Sequence, residues 1–205
     1  MEVPRPAATV VVAREGDPGP EVLVLRRGSE QRFLPGFVAF PGGAIDPGDA
    51  DAARRWFGSE AQIDVARACA VRELAEELGI ALTATGPVVV DAPLDAVEAA
   101  PPGADALVEI SRWVAPEPVA VRFDARFFAV RVEEGTVPRP DGREAAAAWW
   151  TRPAVLLAEE PSLYHPTWSV LSALAGCTDV AAILAARIAQ VDVPDGWDPG
   201  VGVAR

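Results

Sequence analysis

"AQIDVARACAVRELAEELG", residues 61–79, is the stretch on which the fold of this chain turns. It is Ala-rich and free of Pro, and it ends in Gly79, a residue type that closes helices in the left-handed conformation. Ser59 and Gln62 have the spacing of a capping box, so a helix is expected from there to Gly79. Within it Glu73, Glu76 and Glu77 stand at i, i+3 and i+4, which puts their side chains on one face within reach of a common point. Like charges so spaced destabilise a bare helix, and a cation is expected among them. Carboxylate oxygens are hard ligands suited to Mg²⁺ or Mn²⁺, and Mg²⁺ commonly bridges one or two carboxylates to a substrate phosphate. The plainer alternative is a solvated, Glu-rich helix face with Arg72 paired to Glu76.

Upstream lies "FPGGAIDPGD", residues 40–49, a Gly pair behind a Pro followed by turn residues. Earlier still, "AATVVVA" (7–13) and "EVLVLRR" (21–27) are β-branched runs around a "REGDPGP" turn, and "FLPGFVAFPGG" (33–43) breaks into a short strand and a loop. Downstream, "GPVVVDAPLDAVEAAPPGADAL" holds a strand and a surface excursion, "FDARFFAVRV" (123–132) and "AAAAWW" (145–150) are strands, and "PAVLLAEE" is a short helix. Further helices are expected near 166–174 and 179–190. Strands and helices mix without strict βαβ alternation, which favours an α/β sandwich with a mixed sheet.

The chain has 205 residues, half of them hydrophobic, enough for one domain over 1–205 with a full core. Net charge is −12 and all 18 basic residues are Arg, so nonspecific nucleic-acid binding is not expected. A phosphorylated ligand remains compatible with that acidity where divalent cations and a few placed Arg side chains offset the repulsion. Cys69 and Cys177 match no zinc pattern and read as small core residues in a reduced, cytoplasmic protein. No apolar run has the length of a signal peptide core or a membrane span. His165, at a helix start before Pro166, reads as a cap or packing residue.

"RELAEELGI" (72–80) resembles the second half of the Nudix box, with all seven specified positions present, and "FPGG" is the family's usual approach to that box. The first half departs from the pattern. With five residues between, Gly43 is followed by Asp49 where Glu is usual, and 22 residues rather than seven then separate it from Arg72. Counting back from Arg72, Asp64 and Gly58 take the expected spacing instead, so neither Asp carries over as a ligand. The resemblance implies a Nudix-type α/β/α sandwich with an insertion at about 46–60, C-terminal helices at about 161–190 and a flexible tail at about 192–205. It also implies that Glu76 and Glu77 are the main ligands of Mg²⁺ or Mn²⁺, that Glu73 is a further ligand or the base, and that Arg72 orients Glu73 or Glu77. Gly42 and Gly43 would let metal and diphosphate approach, with the Gly43 carbonyl beside the metal. Glu144, five residues before Trp149, resembles the distal ligand of the family; Glu133 and Glu134 compete for that role, and a loop Glu paired with Arg143 is the alternative.

"LVLRRGSEQRFLPGFVAFPGGAIDPGD" (23–49), "RFDARFFAV" (122–130) and "HPTWSVLSAL" (165–174) are similar to the coenzyme A and acyl-CoA diphosphatase branch. Leu34 stands where the wider branch often has His. The branch implies hydrolysis of CoA or acyl-CoA to 3′,5′-ADP and a 4′-phosphopantetheine product. Arg26, Arg27 and Arg32 are candidates for the 3′-phosphate, and Phe33 and Phe37 for the arm or adenine. The partner expected is a small CoA-like nucleoside diphosphate, with no nucleic acid or membrane and with a homodimer allowed. The alternatives are ADP-ribose, NADH or another nucleoside diphosphate as substrate, or a Nudix-fold ligand sensor without turnover.

Overall fold

The structure, a computed structural model, describes residues 3–31, 34–117, 121–160 and 162–193. In chain order its elements are β1 (Arg5–Arg14), β2 (Glu21–Arg27), β3 (Val38–Ala39), β4 (Gly42–Ala44), α1 (Pro47–Phe57) and α2 (Gln62–Leu78). Then come β5 (Ile80–Thr83), β6 (Gly86–Val89), α3 (Pro93–Ala99), β7 (Val108–Val114), β8 (Phe123–Arg131), β9 (Ala145–Thr151), α4 (Pro153–Glu159), α5 (His165–Leu174) and α6 (Val180–Ala185).

The main sheet runs β3-β2-β1-β8-β7, with β4 pairing with β1 and β9 with β2, while β5 and β6 form a separate hairpin. β1 and β8 are parallel, from Arg5 opposite Phe123 to Ala13 opposite Arg131, and the other pairs are antiparallel, so the sheet is mixed. Alternate residues of β1 face opposite layers. Ala8, Val10 and Val12 pack with Leu74 and Leu78 of α2, whereas Val11 and Ala13 pack with Leu156 of α4, Leu171 of α5 and Ile183 of α6. A strand covered on both faces has no polar side to show, which is why β1 reads as a continuous apolar run. The adjacent Trp149 and Trp150 divide between the layers in the same way.

Three local expectations are corrected. The N-cap of α2 is Ala61, and Ser59 instead accepts a hydrogen bond from the Ala61 N–H at 3.1 Å, one step before the helix. β7 escaped notice because its pairing with β8 shifts register between Glu109 and Ser111. That irregularity leaves Ile110 and Trp113 as buried apolar residues three positions apart, and the period-two signal disappears. The helix expected to reach 190 stops at Ala185 although the sequence beyond remains Ala-rich. The free edge of β7 takes the chain over: the Ile188 N–H donates to the Ile110 carbonyl at 2.7 Å, and the Gln190 side chain bonds both main-chain groups of Val114. Residues 194–205 of the expected tail lie outside the described residues. Among the described residues no helix is long and apolar enough to cross a membrane.

Candidate metal centre and cleft

α2 carries Ala66, Ala70, Glu73 and Glu77 along one stripe, so a row of small residues against the sheet continues into two carboxylates. Both are buried, Glu73 at 8% exposure and Glu77 at 3%. They fit there because the Gly pair of the neighbouring strand β4 has no side chains to oppose them. A β-carbon at Gly43 would fall on the Glu73 carboxylate, and one at Gly42, where φ is 152°, would strike the Ala8 carbonyl. The Gly42 N–H donates to Glu77 Oε2 at 2.9 Å.

Glu144 arrives from the turn before β9. The Asp141 carboxylate shapes that turn by accepting from the N–H groups of Arg143, Glu144 and Ala145, and the Asp141 N–H donates to the Glu77 carbonyl at 3.0 Å, tying the turn to α2. One carboxylate oxygen each from Glu73, Glu77 and Glu144 then lies within 4.8 Å of the others.

Glu76 is not part of this group. Its half-exposed carboxylate accepts from Arg72 Nη1 at 2.9 Å, the pairing of the plainer sequence reading. The same Nη1 donates to Glu73 Oε1 at 2.9 Å, so Arg72 orients Glu73, while Glu77 is oriented by the main chain of Gly42. Arg72 is itself fixed by Asp49, which accepts from Nε at 2.9 Å and from Nη2 at 3.1 Å. Asp49 is 1% exposed and sits in the first turn of α1, the helix formed by the expected insertion. Its part in the site was missed, although Pro47 after Asp46 and the left-handed Gly58 at the far end are helix start and stop signals.

Burial pushes the Glu73 carboxyl up to about 7, against the pull of Arg72. Burial and the adjacent Glu73 push Glu77 up to about 8, against the Gly42 N–H and Arg27. Hard oxygen donors held close together, two of them buried and the third, Glu144, exposed at the mouth, fit a divalent cation, and Glu73, Glu77 and Glu144 are the residues that could hold one.

The carboxylates line one part of a cleft of about 300 Å³. Of the other sequence candidates, Arg27, Phe37, Gly42 and Gly43 also line it. Arg26 does not: it donates to the Gly36 carbonyl at 2.9 Å and to Glu160 at 2.6 Å and lies over Trp149. Arg32 and Phe33 lie outside the described residues. Asp64 pairs with Arg67 at 2.6 Å, the Glu134 carbonyl accepts from Arg14, and Glu133 lines a separate surface groove. His165 is buried between Trp113 and Trp168, with ring centroids 5.1 and 5.6 Å away, in a packing position, and desolvation lowers its pKa.

Two outcomes are expected. In the cation-free protein the native state holds protons on Glu73 and Glu77 that the unfolded state has released, so the stability these two groups contribute is full below the ordinary Glu value of 4.5 and is lost as pH rises from there to about 7 and about 8. Thermal melts in chelator across that range should show the fall, and melts with Mn²⁺ should show it reduced; a flat profile in chelator contradicts the burial argument. Asp49→Asn strips Arg72 of its bidentate acceptor and is expected to cost about 2–3 kcal/mol in urea unfolding, with a loss below about 0.5 kcal/mol counting against the network.

A model of the NUDIX domain matches residues 3–170. The chain is similar to a NUDIX hydrolase of known structure from Alicyclobacillus acidocaldarius, with 36% identity, a TM-score of 0.75, and coverage of 90% of this chain and 96% of that one. The NUDIX domain of Shewanella oneidensis NrtR, solved with ADP ribose, superposes with a TM-score of 0.54 over 84% of this chain and 86% of that one at 14% identity, a likeness of fold. Among curated proteins, a putative nudix hydrolase 7 of Caenorhabditis elegans is 38% identical over 82 residues, which is 40% of this chain and 24% of that protein's length.

Proposed function

The chain belongs to the NUDIX domain family, and from that premise we propose that it hydrolyses the diphosphate linkage of CoA or an acyl-CoA with Mg²⁺ or Mn²⁺. The products would be 3′,5′-ADP and the (acyl-)4′-phosphopantetheine. The observation that carries this reading is the pairing, in one cleft, of three converging carboxylates with a lining that is otherwise largely apolar, including Phe37, Trp113, Phe123 and Phe127. A diphosphate with a long aliphatic arm uses both parts, whereas a terminal sugar would leave its hydroxyls against hydrocarbon.

Glu73, Glu77 and Glu144 would hold the cation, which when bound neutralises charge on the diphosphate and lowers the pKa of a water beside it. Arg72 keeps Glu73 in place, and the Gly42 N–H keeps Glu77 in place. Arg27, lining the cleft near Glu77, is placed to meet a phosphate oxygen. The side-chain-free main chain at Gly42 and Gly43 allows the diphosphate to come close.

Glu77→Gln and Glu144→Gln should each lower kcat by about a hundredfold with the fold retained, the scale of one lost electrostatic group. Glu76→Gln, outside the cluster, should cost far less, and Glu133→Gln nothing measurable; near-normal turnover in both Glu77→Gln and Glu144→Gln would contradict the site. Substrate is read from a panel of CoA, acetyl-CoA, dephospho-CoA, ADP-ribose and NADH with products identified by mass. Release of 3′,5′-ADP from CoA is expected, and preference for ADP-ribose or NADH over every CoA species would overturn the substrate assignment.

A further inference from the structure

Two stretches far apart in sequence meet in the lining of the cleft. Leu34 and Phe37 come from the turn after β2, and Tyr164, Pro166 and Thr167 come from the entry to α5. The main chain joins the two stretches at Val38, whose N–H donates to the Ser162 carbonyl at 2.9 Å and which bridges Leu163.

The turn itself is strained. The Phe37 N–H closes it by donating to the Leu34 carbonyl at 3.3 Å, with Pro35 and Gly36 at its centre and Gly36 at φ 76°, as a type II turn requires. Leu34 has φ 51° and is, among the described residues, the one non-Gly position in the left-handed region. A branched side chain is rarely found there, and such a conformation persists where neighbouring contacts over-determine it. Leu34 is buried and lines the cleft, so the strained residue belongs to the lining.

Arg26 supplies such contacts from outside the cleft. Its Nη1 donates to the Gly36 carbonyl at 2.9 Å, in the centre of the turn, and its Nη2 donates to Glu160 Oε2 at 2.6 Å. Glu160 Oε1 in turn accepts from the Ser162 N–H at 2.9 Å. One guanidinium thereby closes a ring of contacts from the turn to the entry of α5 and back through Val38. The Arg26 side chain is 40% exposed, and a pair so open to water adds little to stability. What it does add is geometry, because both ends of the pair are fastened to segments that carry lining residues.

Resting on the cleft as the substrate site, we propose that Arg26 and Glu160 are positioning residues. Their pair clamps the Leu34–Phe37 turn against the entry to α5, sets where Leu34 and Phe37 stand in the cleft, and so sets the affinity for the part of the substrate beyond the diphosphate.

The test measures kcat and KM for CoA and for ADP-ribose in wild type, Arg26→Met, Arg26→Lys, Glu160→Ala and the double variant Arg26→Met with Glu160→Ala, alongside urea unfolding of each. Arg26→Met, which keeps an aliphatic stem over Trp149, and Glu160→Ala should each raise KM about three- to tenfold, with kcat within about twofold and the unfolding midpoint little changed. The double variant should match Arg26→Met, since the two residues act as one. Arg26→Lys keeps the charge but lacks the fork, and it should raise KM as well. The sign for Glu160→Ala is decisive, because deleting a negative charge near an anionic substrate would by charge alone lower KM. KM that falls or stays within about twofold in Glu160→Ala, or that Arg26→Lys preserves, would overturn the clamp. A kcat that falls together with the unfolding midpoint at unchanged KM would mark the pair as merely structural and overturn it too. Wild type that prefers ADP-ribose to CoA would overturn the substrate assignment alone, with the clamp judged by the same criteria on KM for ADP-ribose. Wild type that hydrolyses neither would overturn the proposed function, and the clamp with it.

Discussion

Desolvation of like charges is the constraint around which the rest of the molecule is arranged. Glu73 and Glu77 are buried one helical turn apart, with Glu144 brought against them from another part of the chain. In a monomeric core such a grouping would be displaced by apolar residues of similar size, since an unpaired buried charge costs several kcal/mol. Here the sheet leaves a gap for them. The Gly pair of β4 removes the side chains that would fill the space, and its position opposite Ala7–Thr9 of β1 holds the gap open.

Arg72 links this cluster to the rest of the fold. Its guanidinium touches Glu73, Glu76, Asp49 and the Ala44 carbonyl, so one planar fork ties α2 to α1 and to the end of β4. Asp49 completes the arrangement from beneath, and its Oδ2 also accepts from the Asp46 N–H at 2.8 Å, which joins the start of α1 to the same network. The residues between loop and helix are therefore part of the support for the site and not an appended surface feature.

The helix carrying the site was legible because Gly79 and an Ala-rich, Pro-free run are local signals, and the layered sheet because its β-branched runs are. Sorting the glutamates was harder. Residues at i, i+3 and i+4 share a broad face, but Ala66 and Ala70 continue only into Glu73 and Glu77, and Glu76 lies beside Arg72 at the margin of that stripe. The small residues at 66 and 70 are the signal that separates them. Asp49 had the right spacing from Gly43, yet its function depends on a packed contact with a helix 23 residues away, which no local pattern encodes. Trp113 and Thr167 enter the cleft through a register shift and a helix start, both set by tertiary pairing.

The central claim is that the buried carboxylates are completed by a divalent cation, and calorimetric titration of the protein with Mn²⁺ near pH 7, repeated in buffers of different ionisation enthalpy, tests it most directly. Carboxylates held partly protonated by burial must release protons as the cation binds, so binding with net proton release is expected, and both should be lost in Glu77→Gln. Binding that persists unchanged in Glu77→Gln, or no Mn²⁺ binding to the wild-type protein, would contradict it.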